Sequence, residues 1–143
     1  MAGYLLDTTV LIDHARGFAD GVEILERLFA ETSHLYTCDI VTAEALSGGD
    51  ATERAVISRL LDALEYLAID PDGARWAGRR RQELRSKGRR HPLADALIAA
   101  AAWRVGATVV TRNAADLERF GVPVLGYGRG RQTNAGTKRG STP

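Results

Sequence analysis

Four acidic side chains occupy positions at which a carboxylate is an unusual choice. They are Asp7, Glu44, Asp95 and Asp116. Two of them follow predicted strand ends and two fall on the apolar sides of predicted helices, an arrangement that would bring all four to one cleft. Convergent carboxylates repel one another unless cations neutralise them, and hard oxygen ligands select Mg²⁺ or Mn²⁺ rather than zinc. The sequence therefore predicts a carboxylate-lined cation site.

Asp95 carries the strongest of the four signals, because it is the only charged residue in the apolar segment 92–103. It shares one helical stripe with Ile98 and Ala102, on the side that would cover a sheet. A favourable interaction with the helix dipole is the structural alternative. A helix whose first residue is Pro92 would place Asp95 about one turn inside the helix, which favours the functional interpretation.

Each of the other three acids also has an ordinary structural explanation. Asp7 stands where a predicted strand meets a helix, which is a usual position for a capping residue. Glu44 lies four residues after Ile40 on the same side of a helix, where a lone glutamate is usually a surface residue. Asp116 is three residues after Asn113, a spacing typical of a local capping arrangement. Only the four acids taken together indicate a site.

Short apolar segments alternate with amphipathic segments, which predicts a three-layer α/β/α domain with a parallel sheet covered on both faces. The predicted strands are residues 4–6, 34–37, 66–69, 108–111 and 122–125. The predicted helices begin at residue 8 and continue at 18–32, 39–47, 51–64, 72–86, 92–106 and 113–120. We expect one domain over residues 1–127 and a disordered basic tail over residues 128–143.

The charges are distributed unevenly along the chain of 143 residues, although 19 basic residues nearly balance 18 acidic ones. The segment 75–91 holds eight basic residues and a single acid, and the tail is also basic. A protein that is acidic in one part and basic in another is suited to bringing a polyanion to cations held by carboxylates. A solvated helix face is the alternative that this charge pattern leaves open.

The composition argues against several other classes of protein. Hydrophobic residues make up 45% and charged residues 26%, as in an average globular domain, which excludes a collagen-like or fibrous chain. The longest apolar run, 96–103, is far too short to cross a bilayer, and Asp7 interrupts the candidate signal segment, so we expect a cytoplasmic protein. A single cysteine, Cys38, and three scattered histidines argue against a disulfide or a zinc site.

Four segments stand in a specific order between residues 4 and 125. They are YLLDTTVLID, DIVTAEAL, HPLADALIAAAAWRVGATVVTRNAADLERF and GVPVL. Their order and spacing resemble the PIN-domain ribonucleases and, within them, the VapC toxins of bacterial type II toxin–antitoxin systems. The resemblance implies a PIN-like five-stranded parallel sheet in the order 3-2-1-4-5, with the acids near its topological switch point.

The resemblance also implies roles for particular residues. The invariant acids of the family fall on Asp7, Glu44 and Asp95, and its more variable fourth acid falls on Asp116. The polar neighbours expected to position carboxylates or a phosphate oxygen fall on Thr8, Thr111 and Asn113. The basic helix is expected to contact RNA phosphates through Arg79, Arg80, Arg85 and Arg89.

The activity implied by the resemblance is that of a Mg²⁺-dependent endoribonuclease, with Mn²⁺ as the alternative ion. One or two metal ions would orient a water for in-line attack on a phosphodiester. The expected substrate is tRNA or ribosomal RNA, whose cleavage inhibits translation and growth. The implied partners are a VapB-type antitoxin that blocks the acidic cleft and a second toxin copy in a homodimer.

Three other functions compete with this interpretation of the sequence. A phosphatase of the haloacid dehalogenase type needs a second Asp where this chain has Thr9, which argues against it. A non-catalytic PIN-like binding module would not need the complete set of four acids. A PIN nuclease of RNA processing, outside toxin–antitoxin systems, remains open and would lack an antitoxin gene beside its own.

Overall fold

A parallel sheet of five strands forms the centre of the computed structural model, which describes residues 3–32 and 34–132. The strands are β1 (Tyr4–Leu6), β2 (Leu35–Cys38), β3 (Glu65–Leu67), β4 (Thr108–Thr111) and β5 (Val124–Gly126). The helices are α1 (Thr8–Ala15), α2 (Ala19–Glu31), α3 (Asp39–Leu46), α4 (Ala51–Asp62), α5 (Pro71–Ser86), α6 (Leu93–Val105) and α7 (Ala114–Glu118). This alternation of strands and helices confirms the predicted α/β class.

The strand order is β3-β2-β1-β4-β5, as the family resemblance implied. The central strand β1 pairs in parallel with β2 on one side, where Leu5 is opposite Tyr36, and with β4 on the other, where Leu5 is opposite Val109. Leu5 and Val109 are fully buried. The direction of winding changes between β1 and β4, so the carboxyl ends of these two strands border the crevice in which such sheets bind ligands.

Local sequence signals explain where the longer helices begin and end. In α4, Asp50 and Glu53 form a reciprocal capping box. Helix α5 begins at Pro71, and the Asp70 carboxylate accepts a hydrogen bond of 2.7 Å from the Gly73 amide. Helix α6 ends at Gly106, whose φ of +69° is the left-handed conformation that glycine favours. No helix within residues 3–32 and 34–132 is long and apolar enough to cross a membrane.

Helix α6 packs closely on the sheet and on α5 because its inner side consists of small residues. Four consecutive alanines are buried, Ala99 to Ala102. At the outer end of the α5–α6 contact, the rings of Trp76 and Trp103 stack with their centroids 5.2 Å apart. Cys38 is buried and makes no disulfide, and burial raises the pKa of its thiol to about 11.

The element boundaries differ from the sequence prediction at several ends. Strand β3 ends at Leu67 rather than continuing to residue 69, and β5 lies two residues later than predicted at its start. The start of α6 affects the interpretation of Asp95. Pro92 is the N-cap residue, with an extended ψ of 144°, so Asp95 lies in the first turn rather than a turn inside. The helix dipole therefore favours a charged Asp95 more than predicted.

The disordered tail was predicted to begin at residue 128, but residues 128–132 pack against the junction of α1 and α2. The carbonyl of Arg131 accepts a hydrogen bond of 2.7 Å from the Ala19 amide, and the Gln132 side chain donates one of 2.7 Å to the Arg16 carbonyl. The Arg129 guanidinium lies 4.0 Å from the centroid of the Phe18 ring. Backbone hydrogen bonds and this cation–π contact, rather than apolar periodicity, hold the segment. Residues 133–143 lie outside the described part of the chain.

Candidate active site

Asp7 lies at the end of β1 and its carboxylate is held by hydroxyl groups. Its Oδ2 accepts a hydrogen bond of 2.6 Å from Thr111 Oγ1 and a longer one of 3.3 Å from Thr9 Oγ1. The residue is the N-cap of α1, yet its side chain makes no capping hydrogen bond, so the capping explanation does not account for it. Burial raises the pKa of Asp7, and the charge of Glu44 raises it further.

Thr111 joins the ends of the two central strands. Besides donating to Asp7, its hydroxyl oxygen accepts a hydrogen bond of 2.9 Å from the Asn113 amide. Thr9 Oγ1, which donates to the same Asp7 oxygen, accepts a hydrogen bond of 3.1 Å from the Arg112 amide. These hydrogen bonds fix the orientation of the Asp7 carboxylate and tie the segment after β4 to the start of α1.

Glu44 is positioned by a hydrogen bond from Thr8 rather than by the burial that its helix predicted. Its side chain is exposed on α3, so the expectation that it lies on an inward-facing stripe is wrong. Its Oε1 accepts a hydrogen bond of 2.8 Å from Thr8 Oγ1, which directs the carboxylate toward the start of α1. The predicted polar residue Thr8 therefore lies next to an acid of the site, as expected. Ile40, four residues earlier, is only half-buried, which is why the helical stripe fails as a guide here.

Asp95 is the acid whose carboxylate interacts electrostatically with those of the other three. It is half-buried in the first turn of α6. Partial burial and the negative charges of Asp7, Asp116 and Glu44 raise the pKa of Asp95 to about 6. Repulsion from all three acids means that the structure brings the four predicted residues into one electrostatic cluster. We call Asp7, Glu44, Asp95 and Asp116 the acid cluster.

Asp116 and Asn113 do not form the capping arrangement that was the structural alternative. Asn113 is the N-cap of α7, but its side chain makes no capping hydrogen bond. The contact between the two residues is a backbone hydrogen bond of 3.2 Å from the Asp116 amide to the Asn113 carbonyl. Both side chains are exposed, and the Asp116 carboxylate adds its charge to the field at Asp95.

The chemistry of the acid cluster fits a hard divalent cation. Every donor is a carboxylate oxygen, and a bound cation would offset both the burial and the repulsion that raise the pKa of Asp95. Within the described residues, no three acidic, histidine or cysteine side chains are close enough to hold an ion alone.

A second buried carboxylate, Asp13, was missed in the sequence. It is completely buried in α1, and both of its oxygens accept hydrogen bonds from Arg112 Nη1, at 2.6 and 2.8 Å. The Tyr127 hydroxyl donates a third hydrogen bond of 2.9 Å to Oδ2, and Arg129 Nε lies 3.6 Å from Oδ1. We call these four residues the Asp13 network. It anchors the segment after β4, which carries Asn113 and Asp116. The sequence did contain a signal for this residue, because Asp13, like Asp95, is an acid in an apolar helix.

The basic residues of α5 divide into two groups. Arg79 is exposed, and Arg80 lies over the Trp76 ring at 5.3 Å and 3.9 Å from a Glu83 carboxylate oxygen. Arg85 and Arg89 instead line a pocket at the end of α5. The four residues predicted to bind RNA therefore differ in their surroundings, and their role remains a prediction.

Comparisons with known proteins agree with this fold and with the sequence resemblance. Residues 4–122 match the PIN domain family. Ribonuclease VapC19 of Mycobacterium tuberculosis is 31% identical over 116 residues, which cover 81% of this chain and 93% of the relative. The tRNA(fMet)-specific endonuclease VapC of Salmonella typhimurium is 32% identical over 125 residues, covering 84% and 93% of the two chains. A chain of the DNA-bound VapBC structure from Salmonella typhimurium superposes with a TM-score of 0.75 at 30% identity, covering 88% of this chain and 98% of that one.

The order of the five strands, the acid cluster at the ends of β1 and β4, and the family match together define a PIN domain. The matched segment spans most of the chain, and the relatives are covered over nearly their whole length. Within the PIN domains, the chain belongs to the VapC ribonucleases of toxin–antitoxin systems.

Proposed function

We propose that this protein is a Mg²⁺-dependent endoribonuclease that serves as the toxin of a VapBC-like module. The observation that carries the proposal is the acid cluster, in which partial burial and the charges of Asp7, Glu44 and Asp116 raise the pKa of Asp95 to about 6. A perturbed carboxylate that only other acids surround is typical of a site that works with a cation.

Each acid of the cluster has an assigned part in this proposal. Asp7 and Asp95 would be the direct ligands of Mg²⁺, or of Mn²⁺ in its place. Glu44 and Asp116 would hold metal-bound waters or a second ion. A bound divalent ion supplies Lewis-acid polarisation of the phosphate and lowers the pKa of the attacking water.

The remaining residues of the site orient these groups. Thr111 fixes the buried Asp7 carboxylate through a hydrogen bond of 2.6 Å, and Thr8 fixes Glu44 through one of 2.8 Å. Asn113 is exposed at the start of α7, where its amide can contact a phosphate oxygen. In-line attack of water on the phosphodiester then breaks the bond to the 3′ oxygen and leaves 5′-phosphate and 3′-hydroxyl ends.

The proposed substrate class is tRNA or ribosomal RNA. One curated relative is named a tRNA(fMet)-specific endonuclease, and its identity to this chain is 32%. Cleavage of either RNA would stop translation and growth. The site of action would be the cytoplasm, where these RNAs are found.

The proposed partner is a VapB-type antitoxin. The solved relatives include toxin–antitoxin complexes, among them VapBC of Salmonella typhimurium at 30% identity and a complex from Klebsiella pneumoniae at 27%. A basic antitoxin side chain entering the acid cluster would neutralise the same repulsion that a metal ion relieves. A homodimer of the toxin is the proposed assembly, on the basis of family resemblance.

The experiment that tests this function is cleavage of total RNA by the purified protein without antitoxin. Wild-type protein with Mg²⁺ is expected to yield discrete 5′-phosphate ends, whereas Asp95→Asn protein and wild-type protein with EDTA yield none. Glu83→Gln, which removes an acid from the exposed side of α5, serves as the matched control and cleaves normally. Equal cleavage by wild type and Asp95→Asn would contradict the proposal.

Growth after induced expression distinguishes the toxin from the two remaining alternatives. A toxin arrests growth, and co-expression of the gene product encoded beside it restores growth. An RNA-processing nuclease cleaves RNA without such a neutralising partner. A binding module binds RNA equally with and without Mg²⁺ and cleaves nothing.

A further inference from the structure

A strongly basic pocket lies where the end of α5 meets the start of α6. Its volume is about 330 Å³, which is within the range of small-molecule sites. It is lined by Arg81, Arg85, Arg89, Arg90 and His91. We call these five residues the arginine pocket. No acidic side chain lines it, so it differs in charge from the acid cluster.

The backbone at the end of α5 is folded so that these arginines converge. Gly88 has a φ of +78°, which reverses the chain after the helix. The amides of Lys87 and Arg89 both donate to the Leu84 carbonyl, at 3.1 and 2.9 Å. This reversal brings Arg89 back alongside the last turn of α5.

The positive charges of the arginine pocket are not compensated by the protein. In the part of the chain that the structure describes, the side chains of Arg85, Arg89 and Arg90 have no ion-pair partner. Glu83, the one acid between residues 75 and 91, lies by Arg80 instead. Solvent weakens the mutual repulsion of the exposed Arg85, Arg89 and Arg90, but several guanidinium groups around one pocket still attract an anion.

His91 supplies an independent indication of a ligand. The residue is 9% exposed, and its Nε2 is buried without a hydrogen-bond partner among the described residues. Arg81 Nε donates a hydrogen bond of 3.1 Å to the His91 carbonyl, which holds this residue at the wall of the pocket. A buried polar atom without a partner is destabilising, so packing alone does not explain a histidine at this wall of the pocket.

Two features relate the pocket to the acid cluster: the position of His91 in the sequence and the packing of its ring. His91 lies four residues before Asp95, immediately before the N-cap of α6. The His91 ring also packs edge-on against Phe120, with centroids 5.4 Å apart, and Phe120 lies four residues after Asp116. The arginine pocket is therefore linked to the segments that carry Asp95 and Asp116.

We infer that the arginine pocket binds a phosphate group of the RNA substrate, at a position along the strand other than the bond that is cut. The inference rests on the proposed nuclease function. Four carboxylates repel a polyanion, and a neighbouring site with several guanidinium groups supplies the attraction that the cluster lacks. Guanidinium groups suit this role because they bind phosphate oxygens in a bidentate manner.

The first test uses inorganic phosphate as the probe and requires no nuclease activity. With EDTA present, phosphate is titrated into full-length protein while the imidazole nitrogens of His91 are followed by ¹⁵N NMR. Saturable shifts at His91 that are absent in the Arg85→Ala/Arg89→Ala variant are expected. Shifts that grow without saturation, or that persist in the variant, would overturn the pocket as an anion site.

The second test identifies RNA as the source of the phosphate. All proteins carry Asp95→Asn so that no RNA is cut, and the affinity for a short single-stranded RNA is measured by fluorescence anisotropy. Arg85→Ala/Arg89→Ala is expected to weaken binding about tenfold and to reduce the salt slope by about 0.7 for each phosphate that the variant no longer neutralises. The matched control is Arg75→Ala/Arg79→Ala, which removes two exposed arginines of the same helix outside the pocket and changes affinity less than the pocket variant.

The outcomes separate this inference from the proposed function. Equal reductions of affinity in both double variants would show diffuse attraction along α5 and overturn the pocket. Displacement of phosphate by the antitoxin but not by RNA would assign the pocket to the antitoxin and also overturn it. Failure of wild-type protein to cleave RNA, with the pocket results intact, would instead contradict the nuclease function.

Discussion

Two carboxylates near the start of the chain are buried to nearly the same extent, yet their charged and hydrogen-bonding neighbours differ. Asp7 is 4% exposed and receives hydrogen bonds from threonine hydroxyls, with other acids as its charged neighbours. Asp13 is fully buried, and Arg112 contacts both of its oxygens. The protein neutralises the Asp13 charge and leaves that of Asp7 unneutralised.

This difference separates a structural acid from a functional one. A buried ion pair with additional hydrogen bonds is stable only while both partners are present. A buried carboxylate beside other carboxylates reduces stability until a cation binds. The acid cluster and the Asp13 network are therefore expected to respond to mutation in opposite ways.

The largest effect is expected from the matched pair Asp7→Asn and Asp13→Asn. Asp7→Asn removes a proposed metal ligand, so RNA cleavage should fall by more than the roughly 10–100-fold typical of residues that only support a ligand. The free energy of unfolding should stay the same or rise, because the carboxylate with a raised pKa is removed. Cleavage assays and urea denaturation measure the two effects.

Asp13→Asn should show the reverse pattern. Removal of its charge leaves Arg112 without its partner, and the free energy of unfolding should fall by about 3 kcal/mol. The folded fraction should keep most of its cleavage activity, because Asp13 does not belong to the acid cluster. A variant that loses activity but not stability would show that Asp13 acts in the site itself.

Thr111→Val is expected to have the next largest effect. The substitution keeps the shape of the side chain but removes the hydrogen bond of 2.6 Å to Asp7 Oδ2. Cleavage should fall about 10- to 100-fold, as for other residues that orient a metal ligand. Thr111→Ser, which keeps the hydroxyl, should restore most of the activity, and equal defects in the two variants would point to packing rather than orientation.

A pH dependence of stability follows from the raised pKa of Asp95. In the folded protein this pKa is about 6, whereas the ordinary value is 3.8. Below pH 4 both states are protonated, and between about pH 4 and 6 the folded state holds the proton that the unfolded state has released. Without metal, stability should therefore decrease as the pH rises through this window.

Asp95→Asn provides the control for this titration. Its stability should change less between pH 4 and 6 than that of the wild type, as measured by thermal unfolding in EDTA. Saturating Mg²⁺ should reduce the loss of stability in the wild type by favouring the charged carboxylate. An identical pH profile in both proteins would assign the dependence to other groups.

The smallest effect is expected from Thr8→Val. Thr8 donates to the exposed Glu44, and a carboxylate in water loses little when one hydrogen bond is removed. Cleavage should change by only a few fold, mainly through weaker apparent affinity for Mg²⁺, as measured by metal titration of the rate. A reduction as large as that of Thr111→Val would show that Glu44 binds metal directly.

Much of this architecture could be predicted from the sequence because local signals were strong. The strand and helix alternation was evident, and Asp95 stood out because no other charge occurs in segment 92–103. The partner of Asp13 could not be predicted, since Arg112 is 99 residues away and only the pairing of β1 with β4 brings them together. In the sequence, Asp13 and Asp95 look alike as single acids in apolar helices, and only their partners distinguish them.

Other features escaped prediction because they depend on backbone detail. The arginine pocket forms where the chain reverses at Gly88, whereas the charge pattern alone predicted only a basic helix. The ordered segment 128–132 is held by backbone hydrogen bonds, which composition does not reveal. The exposure of Glu44 depends on how far α3 rotates against its neighbours, which helical periodicity does not determine.

We expect the acid cluster to remain unneutralised until a divalent cation binds. The most direct test of this expectation is a ¹³C NMR titration of the Asp95 carboxyl group in purified protein, with and without Mg²⁺. Without metal, the pKa should be about 6, and saturating Mg²⁺ should lower it below the ordinary value of 3.8. An Asp95 pKa that stays unchanged in Mg²⁺ would contradict this expectation.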